Sequence, residues 1–112
     1  MPARLPRERR LTRASDVRRC LASGRRWRGG VLDFIWMGNS VGHPRLGLVV
    51  PRFQQTAVAR NRLRRRLKDL WRREVQGSQP AWDLVIRARR DSYAASFAAL
   101  RAELLEWRQA AG

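Results

Sequence analysis

At 112 residues and 13.0 kDa, with 44% hydrophobic residues, the chain is long enough for one domain with a single core. Twenty-five Lys and Arg against nine Asp and Glu give a net charge of +16, which points to a polyanionic partner, nucleic acid ahead of a membrane surface. A lone Cys20 excludes an internal disulfide, a lone His43 leaves no zinc constellation, and no stretch approaches the ~20 apolar residues of a membrane span or the apolar run of a signal peptide, so a cytoplasmic protein with no membrane partner is expected.

Residues 1–10 carry Pro2, Pro6 and four Arg, and are expected to form a flexible basic arm ahead of a single RNA-binding domain over 11–112. Leu11, Ala14, Val17 and Cys20 or Leu21 recur at helical spacing, with Ser15-Asp16 as a start and Gly24 as a stop, which predicts a first helix over 11–22 with Cys20 as a small apolar residue on it. Arg25 to Arg28, a Gly29-Gly30 turn and Val31 to Met37 predict a short strand followed by a longer one. Alternation puts Val31, Asp33, Ile35 and Met37 on one face of the longer strand and Leu32, Phe34 and Trp36 on the other. Both faces are largely apolar, so this strand is either covered on both sides or presents an exposed aromatic platform.

Gly38 to Pro44 reads as a turn-rich loop in which His43, with no acid or nucleophile near it in sequence, is an ordinary surface histidine. Arg45 to Val50 is a strand ended by Pro51. Ala57 to Glu74 reads as one amphipathic helix, capped near Thr56, with Ala59, Leu63, Leu67, Leu70 and Trp71 along an apolar stripe. Eight of its residues from Arg60 to Arg73 are basic and only Asp69 is acidic. Such a face repels itself unless a polyanion lies against it, most economically a nucleic acid backbone. After Gly77 to Pro80, Trp82 to Ala88 is the last strand, and Phe97, Leu100, Leu104 and Trp107 mark a final helix. The order αβββαβα fits an α+β fold, two-layer, with helices mainly on one face of the sheet.

Arg60-Asn61-Arg62-Leu63-Arg64-Arg65, preceded by Ala57-Val58 and followed by Leu67-Lys68, resembles the Arg-Asn-Arg signature of the protein subunit of bacterial ribonuclease P. The resemblance extends over roughly 11–107, with Ser15-Asp16-Val17 through Gly24 and Asp83 to Ile86 with Arg89 beyond it matching further family patterns. It implies the same element order, with a left-handed βαβ crossover. It also implies contact with the catalytic RNA by Arg60, Asn61, Arg62, Arg64, Arg65, Lys68 and Arg72. A cleft for the 5′ leader of precursor tRNA is implied around Val17, Leu21, Phe34, Trp36, Arg52 and Arg89. Val17 and Leu21 stand where the family often carries Phe, and Phe53-Gln54-Gln55-Thr56 where Lys and Gly are usual.

The nine acids contain no recognisable metal-ligand motif, and there is no phosphate-binding Gly loop or nucleophile with an evident base. The chain is therefore not expected to cleave RNA alone. The family role suits this, since the RNA carries the active site, Mg²⁺ acts in the holoenzyme, and the protein assists precursor-tRNA binding for 5′ maturation. The alternative is a small ribosomal or other structured-RNA-binding protein using the same basic helix. A basic-zipper DNA reader is excluded by Gly77 and Pro80, which stop the leucine repeat it would need.

Overall fold

The computed structural model describes residues 5–112. Three α-helices, α1 (Ala14–Ser23), α2 (Ala57–Leu70) and α3 (Phe97–Ala111), surround strands β1 (Arg25–Arg28), β2 (Leu32–Gly38), β3 (Arg45–Val49) and β4 (Trp82–Ala88). The sheet order is β1-β2-β4-β3. The pairs β1–β2 and β2–β4 are antiparallel, whereas β3 and β4 are parallel and joined through α2. The result is the α+β order αβββαβα.

Alternation along each strand decides which helix it meets. Leu32, Phe34 and Trp36 of β2 and Leu84 and Ile86 of β4 face α2 and α3, forming the main core with Leu63, Leu67, Leu70, Leu100, Leu104 and Trp107. Phe34 stacks on Trp107 at 5.4 Å between ring centroids. Ile35 and Val85 point the other way and close a smaller core with Leu11 and Cys20 beneath α1. β2 is thus covered on both faces, not an exposed aromatic platform. Ile35 and Phe34 are both fully buried.

Long-range polar ties fix the ends of the sheet. Asp83, fully buried at the start of β4, accepts a two-pronged bond from Arg45 at 2.8 and 2.9 Å and a third bond from Asn39 Nδ2 at 2.9 Å. At the other end, the Glu103 carboxylate of α3 accepts the Val31 and Leu32 amides at 3.0 and 3.1 Å. Arg89 donates to the Gly29 and Gly30 carbonyls and to Asp33. The β1–β2 turn is therefore gripped from both sides, which explains its glycines: a Cβ on Gly29 would stand 2.1 Å from Glu103 Oε1.

Several expectations need correction. Residues 1–4 of the expected arm lie outside the described residues. From Leu5 onward the segment packs: Leu5 joins the main core, Arg7–Arg9 form a 3₁₀ turn, and the Leu11 amide donates to the Leu46 carbonyl at 2.8 Å. The His43 ring also donates Nε2–H to the Glu8 carbonyl at 2.7 Å, so this histidine pins the segment. Burial of Leu5 and Leu11 outweighs the charge around them. The first helix begins at Ala14, later than expected, and Gly24 ends it in extended rather than left-handed backbone. Gly24 is needed for closeness, because a Cβ there would meet the Cys20 carbonyl at 2.6 Å. The basic helix stops being α-helical at Leu70 and continues as a π turn over Trp71–Val75 and a 3₁₀ turn over Gln76–Ser78. At 100° per residue Val75 would point roughly a third of a turn away from the apolar stripe. The wider π turn advances less per residue, and both Trp71 and Val75 are buried.

Gly29→Ala should cost about 1 to 3 kcal/mol by denaturant unfolding, because Glu103 would have to leave the turn. Cys20 supplies a second check. Burial, and then the nearby Asp83, push its thiol up to about 11 from the ordinary 9.0. The folded state thus holds this proton more tightly, so the stability linked to Cys20 is intact below about pH 9 and falls as pH rises towards 11. The stability difference between the native chain and Cys20→Ala should shrink over that window; a pH-independent difference would show that the thiol is not protected.

Candidate nucleic-acid interface

Thr56 Oγ1 accepts the Ala59 amide at 3.0 Å, which starts α2 in register. Arg60 donates Nε–H to the Val50 carbonyl at 2.7 Å, tying the first turn of α2 to the end of β3. With Leu63, Leu67 and Leu70 buried against the sheet, the opposite stripe of Asn61, Arg62 and Arg65 is exposed to solvent. None of these three side chains has a hydrogen bond or ion pair among the described residues.

The other sites expected on this helix have different settings. Arg64 is half-buried on one flank, and burial, followed by the charge of Arg60, pushes its guanidinium below the ordinary value. It still carries its charge at physiological pH, so a phosphate nearby would relieve that penalty. Lys68 is half-buried on the same flank. Arg72 is bonded to Asp69 at 2.8 Å, and Arg73 reaches the same carboxylate at 3.2 Å. The single acid of α2 therefore neutralises its far end and leaves the first three turns as the cationic part.

The residues expected around a leader cleft fall in different places. Phe34 and Trp36 do not line an open cleft: they lie 0% and 5% exposed in the main core, on the face of the sheet opposite α1. Arg89 is engaged with Asp33 and the β1–β2 turn. Val17 and Leu21 do lie together, half-buried along α1 beside Met37 and Val49. Arg52 is exposed in the loop before α2, donating to the Gln55 carbonyl at 3.2 Å.

That loop has an unusual backbone. Phe53 and Gln54 take φ of 48° and 67°, left-handed values that cost a non-glycine residue about 1 to 2 kcal/mol each. It is held by its side chains: Phe53 meets the Tyr93 ring edge-on, Arg90 lies 5.5 Å over the Phe53 ring, and Tyr93 donates to the Pro51 carbonyl at 2.6 Å.

Sequence reasoning missed a charged row on the α1 side of the sheet. Strand register aligns Arg28, Asp33, Arg87 and Val49 across β1, β2, β4 and β3. Arg87 Nε lies 3.4 Å from Asp33, and Arg26, Arg28, Asp33, Ile35 and Arg87 line a shallow pocket of about 200 Å³. The available signal was period-two alternation, which puts Arg26, Arg28, Asp33 and Arg87 on one face once the strands are paired.

A stripe of arginines without partners among the described residues, on a capped helix, is chemistry suited to an RNA backbone. Among the described residues, no three His, Cys, Asp or Glu converge on a possible metal position. The family model described as Ribonuclease P matches residues 5–112. The ribonuclease P protein component of Acidothermus cellulolyticus is 37% identical over 101 residues, spanning 88% of this chain and 84% of that protein. That of Roseiflexus sp. is 34% identical over 104 residues, spanning 92% and 85%. Among solved structures, the RNase P protein of Staphylococcus aureus superposes with a TM-score of 0.82 over 92% of this chain and 94% of that one at 22% identity, a likeness of fold. Since the match runs through both cores and the Arg60-Asn61-Arg62 helix alike, the chain belongs to the ribonuclease P protein family.

Proposed function

We propose that this chain serves ribonuclease P by seating the outer stripe of α2 on the RNA subunit and so helping the assembly hold precursor tRNA for removal of its 5′ leader. The carrying observation is the solvent-facing set Asn61, Arg62 and Arg65, unpartnered among the described residues, on a helix fixed at its start by Thr56 and Arg60. Preorganisation matters here. The backbone positions of these groups are set before RNA arrives, so less ordering entropy opposes docking. Arg62 and Arg65 present planar forks suited to two oxygens of one phosphate, and Asn61 can meet a base edge or a sugar hydroxyl between them. Arg60 and Arg64 set the flank, and Lys68 and Arg72 extend the surface. Val17, Leu21 and the Arg28–Asp33–Arg87 row form the reading for a leader strand, with Val17 and Leu21 supplying aliphatic contact and the arginines phosphate contact.

Bound to the RNA of the assembly, Mg²⁺ would supply stabilisation of the charge that develops on the phosphate during hydrolysis. The protein's own contribution is positional and electrostatic. By neutralising phosphates it lets two RNA molecules approach at a lower Mg²⁺ concentration.

Added to a bacterial ribonuclease P RNA, the chain should restore leader cleavage of precursor tRNA at low Mg²⁺, while the RNA-free chain leaves the substrate intact. Cleavage by nuclease-treated, RNA-free protein would reverse the division of labour. Arg62→Ala and Arg65→Ala should each weaken assembly with the RNA subunit by about 1 to 3 kcal/mol. Arg62→Lys keeps the charge but not the fork, and should recover less than half of that loss. Full recovery by lysine would mean that α2 acts as a diffuse polycation and not as a docking surface.

A further inference from the structure

A second basic surface lies far from the outer stripe of α2. The packed N-terminal segment, α1 and the β2–β3 loop enclose an open basin of about 680 Å³ lined by Arg7, Arg10, Arg13 and Arg19 together with Asp16 and Arg45. α2 covers one face of the sheet and α1 the other, so the basin and the outer stripe of α2 look in different directions. It is also separate from the Arg28–Asp33–Arg87 row. The basin meets β3 at its first residue, Arg45, whereas the row meets β3 at its last, Val49.

The charges in the basin are uneven in their commitments. Arg45 is held by the buried Asp83 and lies 3.8 Å from Asp16, so it is a structural cation. Arg7, Arg10, Arg13 and Arg19 have no side-chain hydrogen bond or ion pair among the described residues. Four like charges around one concavity repel one another, and the docking of Leu5 and Leu11 into the cores holds them there. An anion entering the basin relieves that repulsion. The lining contains no aromatic ring on which an unpaired base could stack, which favours the phosphates of a paired RNA segment over a single strand.

We propose that this basin is a second RNA-docking surface, taking the backbone of a paired segment of the ribonuclease P RNA other than the segment held by α2. The protein then grips its RNA subunit at two places on opposite sides of the sheet. This rests on the α2 reading only for the identity of the RNA. Asp16 sets the strength of the site, since it is the one anion within the basin and opposes phosphate entry.

The test is hydroxyl-radical footprinting and salt-dependent binding of a bacterial ribonuclease P RNA, with no precursor tRNA present. Arg13→Ala with Arg19→Ala should lower affinity about tenfold and reduce the slope of log K against log salt by about 1.5, from two lost phosphate contacts. The same variant should lose a protected patch that the Arg62→Ala, Arg65→Ala variant keeps, and the reverse should hold for the α2 variant. Asp16→Asn should tighten binding by about threefold, a gain that damage to the fold would not produce. The proposal is overturned if the basin variant binds and protects like the native chain, or if both variants lose the same patch. It is equally overturned if RNA-subunit affinity is unchanged while the assembled enzyme binds precursor tRNA more weakly, which would seat the substrate there instead. Failure of the native chain to protect the RNA anywhere would sink the α2 reading as well, so the two failures are distinguishable.

Discussion

A chain with 25 basic and nine acidic side chains folds only if its few acids stand where the backbone most needs them. Asp83 is buried under the sheet against Arg45 and Asn39; Asp33 joins Arg87 and Arg89; Glu103 holds the β1–β2 turn; Glu74 links the end of the basic helix to Arg101 of α3 at 3.1 Å. These acids sit at junctions between elements, where each cancels local repulsion and fixes an orientation at once. The outer stripe of α2 from Asn61 to Arg65 receives none of them. The same allocation that lets the domain close leaves that surface cationic, so stability and RNA affinity come from one pattern of charge placement.

The two cores make this allocation possible. Burying a charged pair such as Arg45–Asp83 brings a desolvation cost that its bidentate geometry and the third bond from Asn39 offset. The main core carries the larger apolar contribution, and α1 adds a smaller one through Cys20, Ile35 and Val85. Because β2 and β4 are sandwiched between these cores, the positions of α1 and α2 are set through the same pair of strands. The charged row of Arg28, Asp33 and Arg87 is held by strand register and not by loop conformation, which suits a surface that must keep its spacing.

Helical periodicity was strong enough to read α2 from the chain: Leu63, Leu67, Leu70 and Trp71 fell on the inner stripe, and Thr56 is the cap. The element order was equally legible. Strand faces were not, because Leu32, Phe34 and Trp36 and the opposing Val31, Ile35 and Met37 are both apolar, and alternation does not say which helix will cover which side. The burial of Phe34 and Trp36 depends on α3, some seventy residues away, as does the grip of Glu103 on the Val31 amide. The N-terminal segment misled for a related reason. Local composition reports the cost of gathering Arg7, Arg9 and Arg10, but the compensating burial of Leu5 and the bond from Leu11 to Leu46 are tertiary.

The tryptophans share one environment. Trp36, Trp82 and Trp107 lie within 5.6 to 6.4 Å of one another by ring centroid, Trp71 is fully buried beside them in the same core, and Trp27 packs its edge on Phe34. Light absorbed by these indoles is therefore emitted mainly from the main core and its margin, where Trp36, Trp71 and Trp107 are buried and Trp27 and Trp82 half-buried. No indole stands on the outer stripe of α2 or in the arginine basin. The intrinsic fluorescence of this protein is thus chiefly an optical record of whether the main core is closed, silent at the outer stripe of α2 and in the basin, with Trp27 the one indole placed beside the Arg28–Asp33–Arg87 row.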